Sequence, residues 1–289
     1  MSQYRSRAVG DRRVYLRPYP QAELDARHSS GARVRTAHLL GFLLPLQRAA
    51  KPVLEPSGSV SLVVADASDW RRIFSYPYGL PFTRNLPDSA VIVAAADYPE
   101  RLLTRFDDPL LRAAKAGVKA PGQVGELLDL MVGHEWGHAI ANRSGLRTGV
   151  KWLDEFMATY LFVQALLATG GSASRELLSA WAGVQVAADA ELKGALDDFE
   201  YPRGRMGLAQ LLWFQGVFTQ RALAIAPERG WDLALELRRA LPGEHKGRVS
   251  SALVEIEPSF KSWFAVFGTE PGSGSDEAGD PGAELGDDG

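Results

Sequence analysis

The chain has 289 residues, of which 46% are hydrophobic and 23% charged, and its formal net charge is −3. It contains no cysteine, so disulfides, thiolate metal sites and cysteine nucleophiles are excluded, and any metal must be bound by His, Asp or Glu. The longest apolar run, Leu39–Leu46, is far shorter than the roughly 20 residues that a membrane span needs. Because Met1–Arg17 is polar and Arg-rich, without the apolar stretch of a signal peptide, we expect a cytoplasmic protein.

The two ends of the chain have opposite charge. Residues 1–35 carry eight Arg and predict a basic, irregular arm. Residues 268–289 carry seven acidic residues and no basic one, and they predict a disordered acidic tail. The arm lacks the aromatic interleaving and the fold signature of a nucleic-acid-binding module, so no nucleic-acid partner is expected.

Between these ends, strand signals come first and helix signals follow. Residues 36–98 are predicted to be β-rich, with strands at Val60–Ala65 and Val91–Ala96 separated by a loop at Tyr76–Pro81. Residues 99–267 are predicted to be helical. The predicted helices cover residues 124–141, 151–168, 174–193, 204–225, 228–241 and 258–267. This order predicts an α+β fold, with a small N-terminal β-sheet followed by a mainly helical region.

The strongest chemical signal lies inside the first long predicted helix. His134-Glu135-Trp136-Gly137-His138 places two histidines one helical turn apart, so both imidazoles project from the same face. Two such nitrogens can bind one Zn²⁺, and Glu135 lies beside them where its carboxylate can act on a water molecule. The alternative is a buried helix with two ordinary hydrogen-bonded histidines.

A catalytic zinc needs a third protein ligand and an open position. The next predicted helix offers Glu155, in the segment Trp152-Leu153-Asp154-Glu155-Phe156. Helices joined by a short loop pack as antiparallel neighbours, so Glu155 can face the two histidines. A carboxylate among apolar residues is costly unless it is paired or binds a metal. The alternative is a solvated Glu in the first helical turn, which the helix dipole favours.

These two segments resemble the gluzincin metallopeptidases, especially the aminopeptidase N family. HEWGH followed by WLDEFMATY is similar to the family's HExxH and WLNEGFATY-like segments. The resemblance implies a zincin-like, thermolysin-like catalytic domain over residues 36–267. It also implies one Zn²⁺ bound by His134, His138 and Glu155, with Glu135 as the general base.

The same resemblance suggests how the oxyanion is stabilised. Tyr201-Pro202-Arg203-Gly204 is similar to a family segment whose Tyr stabilises the tetrahedral intermediate, which implies that role for Tyr201. His245 is a rival donor, parallel to the His of thermolysin-like enzymes. There are departures: the gap before Glu155 is two residues short, and the Gly-x-Met-Glu-Asn motif that grips a substrate's amino terminus is absent. Endopeptidase and exopeptidase activity therefore both stay open.

The sequence thus predicts a zinc metallopeptidase acting on a peptide or protein substrate. We expect the substrate to lie along an edge strand, with Val91–Ala96 as the candidate. Thr159, Asp154 and Asp129 are candidates for orienting the ligand imidazoles. Three alternatives stay open: a zinc hydrolase of a non-peptide amide or ester, a zinc-binding protein without activity, and a helical interaction module that binds no metal.

Overall fold

The computed structural model describes residues 16–20, 23–188, 194–200, 207–241 and 249–267. These residues form a mixed α+β structure, in which a small sheet near the N-terminus is followed mainly by helices. Tyr201, His245 and the acidic tail at 268–289 lie outside the described residues. In the described part of the chain, no helix has both the length and the apolar character needed to cross a membrane.

The sheet has five strands in the described residues, in the order β1-β2-β3-β5-β4. The three inner strands, β2, β3 and β5, are parallel, and the two edge strands, β1 and β4, are antiparallel to their neighbours. The bounds are β1 Arg17–Pro18, β2 Asp25–His28, β3 Ser59–Ala65, β4 Phe82–Leu86 and β5 Ser89–Ala95. β3 and β5 are continuous runs of small and β-branched residues, which suits strands covered on both faces.

The predicted strands at 60–65 and 91–96 are confirmed, but the edge assignment is wrong. Val91–Ala96 was expected to be the edge strand, whereas β5 lies between β3 and β4. The open edge next to the helices is β4, a polar strand of sequence FTRNL that has no apolar run to indicate it. Edge strands are often polar, because polar residues discourage the unpaired side of the strand from pairing with other chains.

The N-terminal part differs from the prediction in a second way. The segment from 36 to 98 was predicted to be β-rich, yet it holds most of a 22-residue helix, α1 Arg33–Leu54. Buried residues recur along α1 at helical spacing, namely Leu39, Leu43, Leu46, Ala50 and Leu54. Pro45 and Pro52 mask this pattern in the sequence, but burial of the apolar face outweighs their cost. The predicted irregular arm likewise contains β1, β2 and the start of α1.

The helices that follow the sheet lie close to the predicted ones. Those that matter for the site are α5 Val124–Arg143, α6 Lys151–Ala168, α7 Ser172–Ala187 and α9 Leu208–Arg229. Shorter helices are α2 Ala67–Ile73, α3 Glu100–Leu103, α4 Asp107–Lys115, α8 Leu196–Glu200, α10 Asp232–Ala240, α11 Val249–Ile256 and α12 Phe260–Ala265. In α6, Trp152–Leu153 and the whole run Phe156–Leu166 are buried, so this helix is the centre of the helical part. α5 and α9 both pack against it.

Candidate metal centre

The candidate centre depends on a very close approach of α5 to α6. Gly133 and Gly137 lie one turn apart on the face of α5 that contacts α6. A methyl group at Gly137 would overlap the carbonyl oxygen of Ala158, and one at Gly133 would overlap the ring of Phe162. The two glycines therefore permit contact between the two helices that any larger residue would prevent. This contact brings the histidines of α5 within reach of a side chain on α6.

Three predicted ligands meet at this contact. Nε2 of His134 lies 3.1 Å from Oε2 of Glu155, and Nε2 of His138 lies 3.3 Å from Oε1 of the same carboxylate. The imidazole rings stand nearly perpendicular, at 86°, with their centroids 4.7 Å apart. All three ligand atoms lie within 4.8 Å of one another, so this group could hold a metal ion.

The donor set and its spacing suit zinc. Two imidazole nitrogens and one carboxylate oxygen are a common ligand set of catalytic zinc. Ligand atoms at about 2.0–2.2 Å from a tetrahedral zinc are roughly 3.3–3.6 Å from each other. The nitrogen–oxygen separations of 3.1 and 3.3 Å are close to this range. The residues therefore fit the ion without a large rearrangement.

Thr159 orients the first histidine. Its hydroxyl donates to the carbonyl oxygen of Glu155 at 3.1 Å, and its oxygen lies 3.1 Å from Nδ1 of His134. The oxygen of Thr159 is then free to accept the Nδ1–H of His134, which leaves the lone pair of Nε2 for a metal. The sequence predicts Thr159 for this role, and in the structure its hydroxyl lies next to His134.

Gln215 is a contact that the sequence analysis missed. It lies on α9, and its Nε2 donates to Oε2 of Glu155 at 2.8 Å. Glu155 is thereby held from a third helix as well as by the two histidines. The signal in the sequence was a single amide within the apolar run Leu211-Leu212-Trp213-Phe214-Gln215, which is not distinctive by itself.

The electrostatics of the centre are those of a half-buried carboxylate between two imidazoles. Burial alone would raise the pKa of Glu155, but the His138 charge and the hydrogen bonds from both imidazoles outweigh it and lower that pKa. For His138, burial would lower the pKa, yet attraction to Glu155 and its hydrogen bond raise it to about 9. The carboxylate is thus held in its charged form, ready to bind a cation.

Glu135 occupies a different environment. Glu135 is half-buried, and desolvation raises the pKa of its carboxyl group above the usual value for Glu, against the opposing effect of the two histidines. Its backbone carbonyl accepts a hydrogen bond from Oγ1 of Thr83 on β4 at 2.6 Å. The edge strand is therefore attached to the helix at the residue predicted to be the base. A carboxyl with a raised pKa is suited to both accepting and returning a proton.

A cavity of about 240 Å³ opens beside the centre. Its polar wall includes His134, Glu135, Glu155 and Gln215, and the loop before β4 contributes Leu80 and Pro81. The opposite wall is apolar and includes Leu127, Leu130, Met131, Phe162, Leu178 and Leu211. None of the described residues that line it is Lys or Arg.

The other predicted orienting residues do not contact the ligand imidazoles in the described structure. Asp154 accepts hydrogen bonds from the backbone N–H and the hydroxyl of Thr148, at 2.8 and 2.9 Å. Asp129 contacts Arg35 and Tyr98 instead. The two candidates for oxyanion stabilisation, Tyr201 and His245, lie outside the described residues.

Comparisons with known proteins do not extend this description. No protein-family model, no curated protein and no solved structure matches the chain. The resemblance to gluzincins therefore depends on the short motifs alone, and the function has to be argued from the geometry of the site.

Proposed function

We propose that this protein is a zinc-dependent metallopeptidase with a zincin-like catalytic domain. The observation that carries the proposal is the meeting of His134, His138 and Glu155 beside Glu135, on the wall of a cavity. A site that serves only to hold zinc for stability usually has four protein ligands and no free carboxyl group next to them. Here three ligands, an adjacent base and a cavity occur together, which favours catalysis.

Each residue has a defined part in the proposed reaction. His134, His138 and Glu155 would hold the Zn²⁺. When bound, the ion supplies Lewis acidity, which lowers the pKa of water to about 7 and polarises a carbonyl. Glu135 takes the proton from the attacking water and passes it to the nitrogen of the leaving amine. Its pKa is raised towards neutral pH, and a carboxyl group with such a pKa can both accept and return a proton efficiently.

The stabiliser of the oxyanion is proposed from the sequence. Tyr201 is the first candidate and His245 the second, because each can donate a hydrogen bond to a developing negative charge. Replacing Tyr201 by Phe should lower kcat by about 100-fold with little change in KM if this residue is the donor. The same result for His245→Gln, with full activity in Tyr201→Phe, would assign the role to His245.

The cavity and the edge strand suggest the substrate. The cavity has room for one bulky side chain, and its apolar wall without Lys or Arg favours a neutral apolar group. β4 presents the open edge of the sheet above α5, so an extended peptide can add to it through main-chain hydrogen bonds. We therefore propose polypeptides with large apolar side chains next to the cleaved bond.

The decisive experiment compares the wild type with Glu135→Gln. We expect about one zinc per chain in both proteins by elemental analysis, because Glu135 is not a ligand. We expect cleavage of a peptide library by the wild type and a loss of at least 1,000-fold in the variant, because the base is absent. Turnover in Glu135→Gln at the wild-type rate would refute the assigned role.

Other outcomes separate the alternatives. Zinc at one per chain with hydrolysis of simple esters or amides, but of no peptide, would indicate a non-peptide hydrolase. Zinc without any hydrolysis would indicate an inactive zinc-binding protein. Absence of zinc, even after addition of the ion, would leave a helical module and overturn the proposal.

A further inference from the structure

A second cavity lies on the other side of the edge strand. It measures about 280 Å³ and lies between the end of α2 and the start of β4. Its lining includes Ile73, Phe74, Tyr76, Phe82, Thr83 and Arg84, and we call it the aromatic groove. The residues of the groove differ from those of the cavity beside the centre, so these are two separate places for a ligand.

The groove exposes the outer part of an aromatic cluster, whose inner rings, Phe74 and Phe82, pack against Trp70. Tyr76 stacks on Phe82, with ring centroids 4.6 Å apart and an angle of 27° between the rings. Tyr76 is nevertheless 61% exposed, which is unusual for a large aromatic side chain. Phe74 supports Phe82 from the side, at 5.3 Å and 86°. An aromatic or large apolar side chain can therefore stack in the groove and cover this surface.

A positive charge lies next to the aromatic surface. Arg84 is exposed on β4, two residues after Phe82, so both side chains lie on the same face of the strand. Within the described part of the chain, Arg84 has no ion-pair partner. It is free to bind a carboxylate, either an acidic side chain or a free carboxyl terminus.

β4 connects the groove to the candidate metal centre. Thr83 lines the groove and also donates its hydroxyl hydrogen bond to the backbone of Glu135. Pro81, immediately before β4, lines the cavity beside the centre. Successive side chains of an extended peptide point to opposite faces. A peptide added to β4 therefore presents one side chain towards the cavity beside the centre and a neighbouring one towards the groove.

We infer that the aromatic groove is a second substrate subsite, which takes an aromatic or large apolar side chain and favours a carboxylate beside it. This inference rests on the proposed peptidase function. It adds that the substrate is an extended polypeptide that occupies both sides of β4. The enzyme should then discriminate by peptide length as well as by the residue next to the cleaved bond.

Binding to the full-length, zinc-loaded Glu135→Gln protein tests the groove without turnover. The probes are fluorescein-labelled decapeptides of Ala and Ser with one Leu, and with Phe or Ala at a position that is varied around the Leu. We expect one position of Phe to tighten binding about three- to tenfold over Ala. Tyr76→Ser should abolish that gain and leave the affinity of the Ala peptide within twofold.

Matched variants and probes complete the test. Leu111→Ser removes another large side chain, 55% exposed and outside the groove, and should keep the gain from Phe. Arg84→Gln should weaken, by about two- to fivefold, only peptides with a carboxylate beside the Phe, and less at high salt. Peptides with either an internal Glu or a free carboxyl terminus show which carboxylate is bound.

The outcomes distinguish this inference from the proposed function. An unchanged gain from Phe in Tyr76→Ser, an equal loss for both peptides, or no peptide binding at all would overturn the groove as a subsite. Peptide cleavage by the wild type with such a result would leave the peptidase function intact. Conversely, binding that depends on Tyr76, in a protein whose wild type cleaves no peptide, would keep the groove as a peptide-binding site and refute the peptidase function.

Discussion

Two half-buried carboxylates, Asp129 on α5 and Glu155 on α6, have partners that differ in kind. Asp129 accepts hydrogen bonds from Arg35 at 2.8 Å and from the hydroxyl of Tyr98 at 2.7 Å. Glu155 faces His134, His138 and the amide of Gln215. Asp129 therefore has a permanent cation beside it, whereas Glu155 has only groups that are neutral or that can lose their charge.

This difference separates a structural cluster from the proposed metal centre. Burial alone would raise the pKa of Asp129, but the hydrogen bonds from Arg35 and Tyr98 lower it, so that carboxylate is satisfied within the protein. Against the effect of burial, the pKa of Glu155 is lowered by the charge of His138 and by hydrogen bonds from the protons of both imidazoles. A divalent ion can replace those protons, which makes the second cluster a place for a metal and the first a link between α1 and α5.

The largest effect should come from removing the carboxylate of Glu155. Glu155→Ala removes one of three ligands, and we expect zinc affinity to fall by roughly 1,000-fold. Competition with a chromophoric chelator measures this directly. Wild-type zinc affinity in the variant would mean that the third ligand is a residue other than Glu155.

Asp129→Asn is the matched control on the neighbouring cluster. It should leave zinc affinity within a few-fold but lower the free energy of unfolding by about 2–4 kcal/mol, because Arg35 loses its charged partner. With zinc affinity and denaturant unfolding measured for both variants, we expect opposite patterns: Glu155→Ala loses zinc affinity, whereas Asp129→Asn loses stability. Equal losses of zinc in the two variants would contradict the distinction between the clusters.

A smaller effect is expected at the hydrogen bond that fixes Glu155. Gln215→Leu keeps the size of the side chain and removes the donor, so zinc affinity should fall by about 10–100-fold. Gln185→Leu is the control, because Gln185 lines the same cavity from α7. The expected change in that control is less than threefold. If both variants bind zinc as tightly as the wild type, Gln215 does not position the ligand.

A last effect concerns the pH dependence of zinc affinity. Because the pKa of His138 is raised to about 9, its proton stabilises the zinc-free fold fully below about pH 6.5, and this contribution is lost as the pH rises towards 9. Zinc must displace that proton, so its apparent affinity should rise by about tenfold per pH unit over this window. Calorimetric titration at pH 7 in two buffers of different ionisation enthalpy should show about one proton released per zinc bound. Release of no proton would contradict the raised pKa.

The sequence predicted the parts of the site that depend on local spacing. Two histidines one turn apart must share a helix face, and a short loop returns the next helix alongside, so the proximity of His134, His138 and Glu155 followed from regular geometry. The strands at 60–65 and 91–96 were indicated by their own apolar residues. These features need no knowledge of distant contacts.

The parts that were missed depend on contacts between distant segments. α1 was hidden by Pro45 and Pro52, whose cost is offset only by burial against the rest of the core. β4 has a polar sequence and is recognisable only by its pairing with β5. Gln215 lies 60 residues after Glu155, and no local pattern connects the two. In each case the deciding interaction is tertiary.

The contact between Gly137 and Ala158 has a consequence for how tightly and how selectively an ion would bind. Main-chain atoms, which have no rotamers, fix the distance between the two helices, and the ligands need only small adjustments around it. The centre is therefore preorganised: little conformational entropy remains to be lost when a metal binds. Such a rigid frame would also favour ions that accept its tetrahedral spacing over larger ones, such as Ca²⁺, which require more oxygen ligands at longer distances.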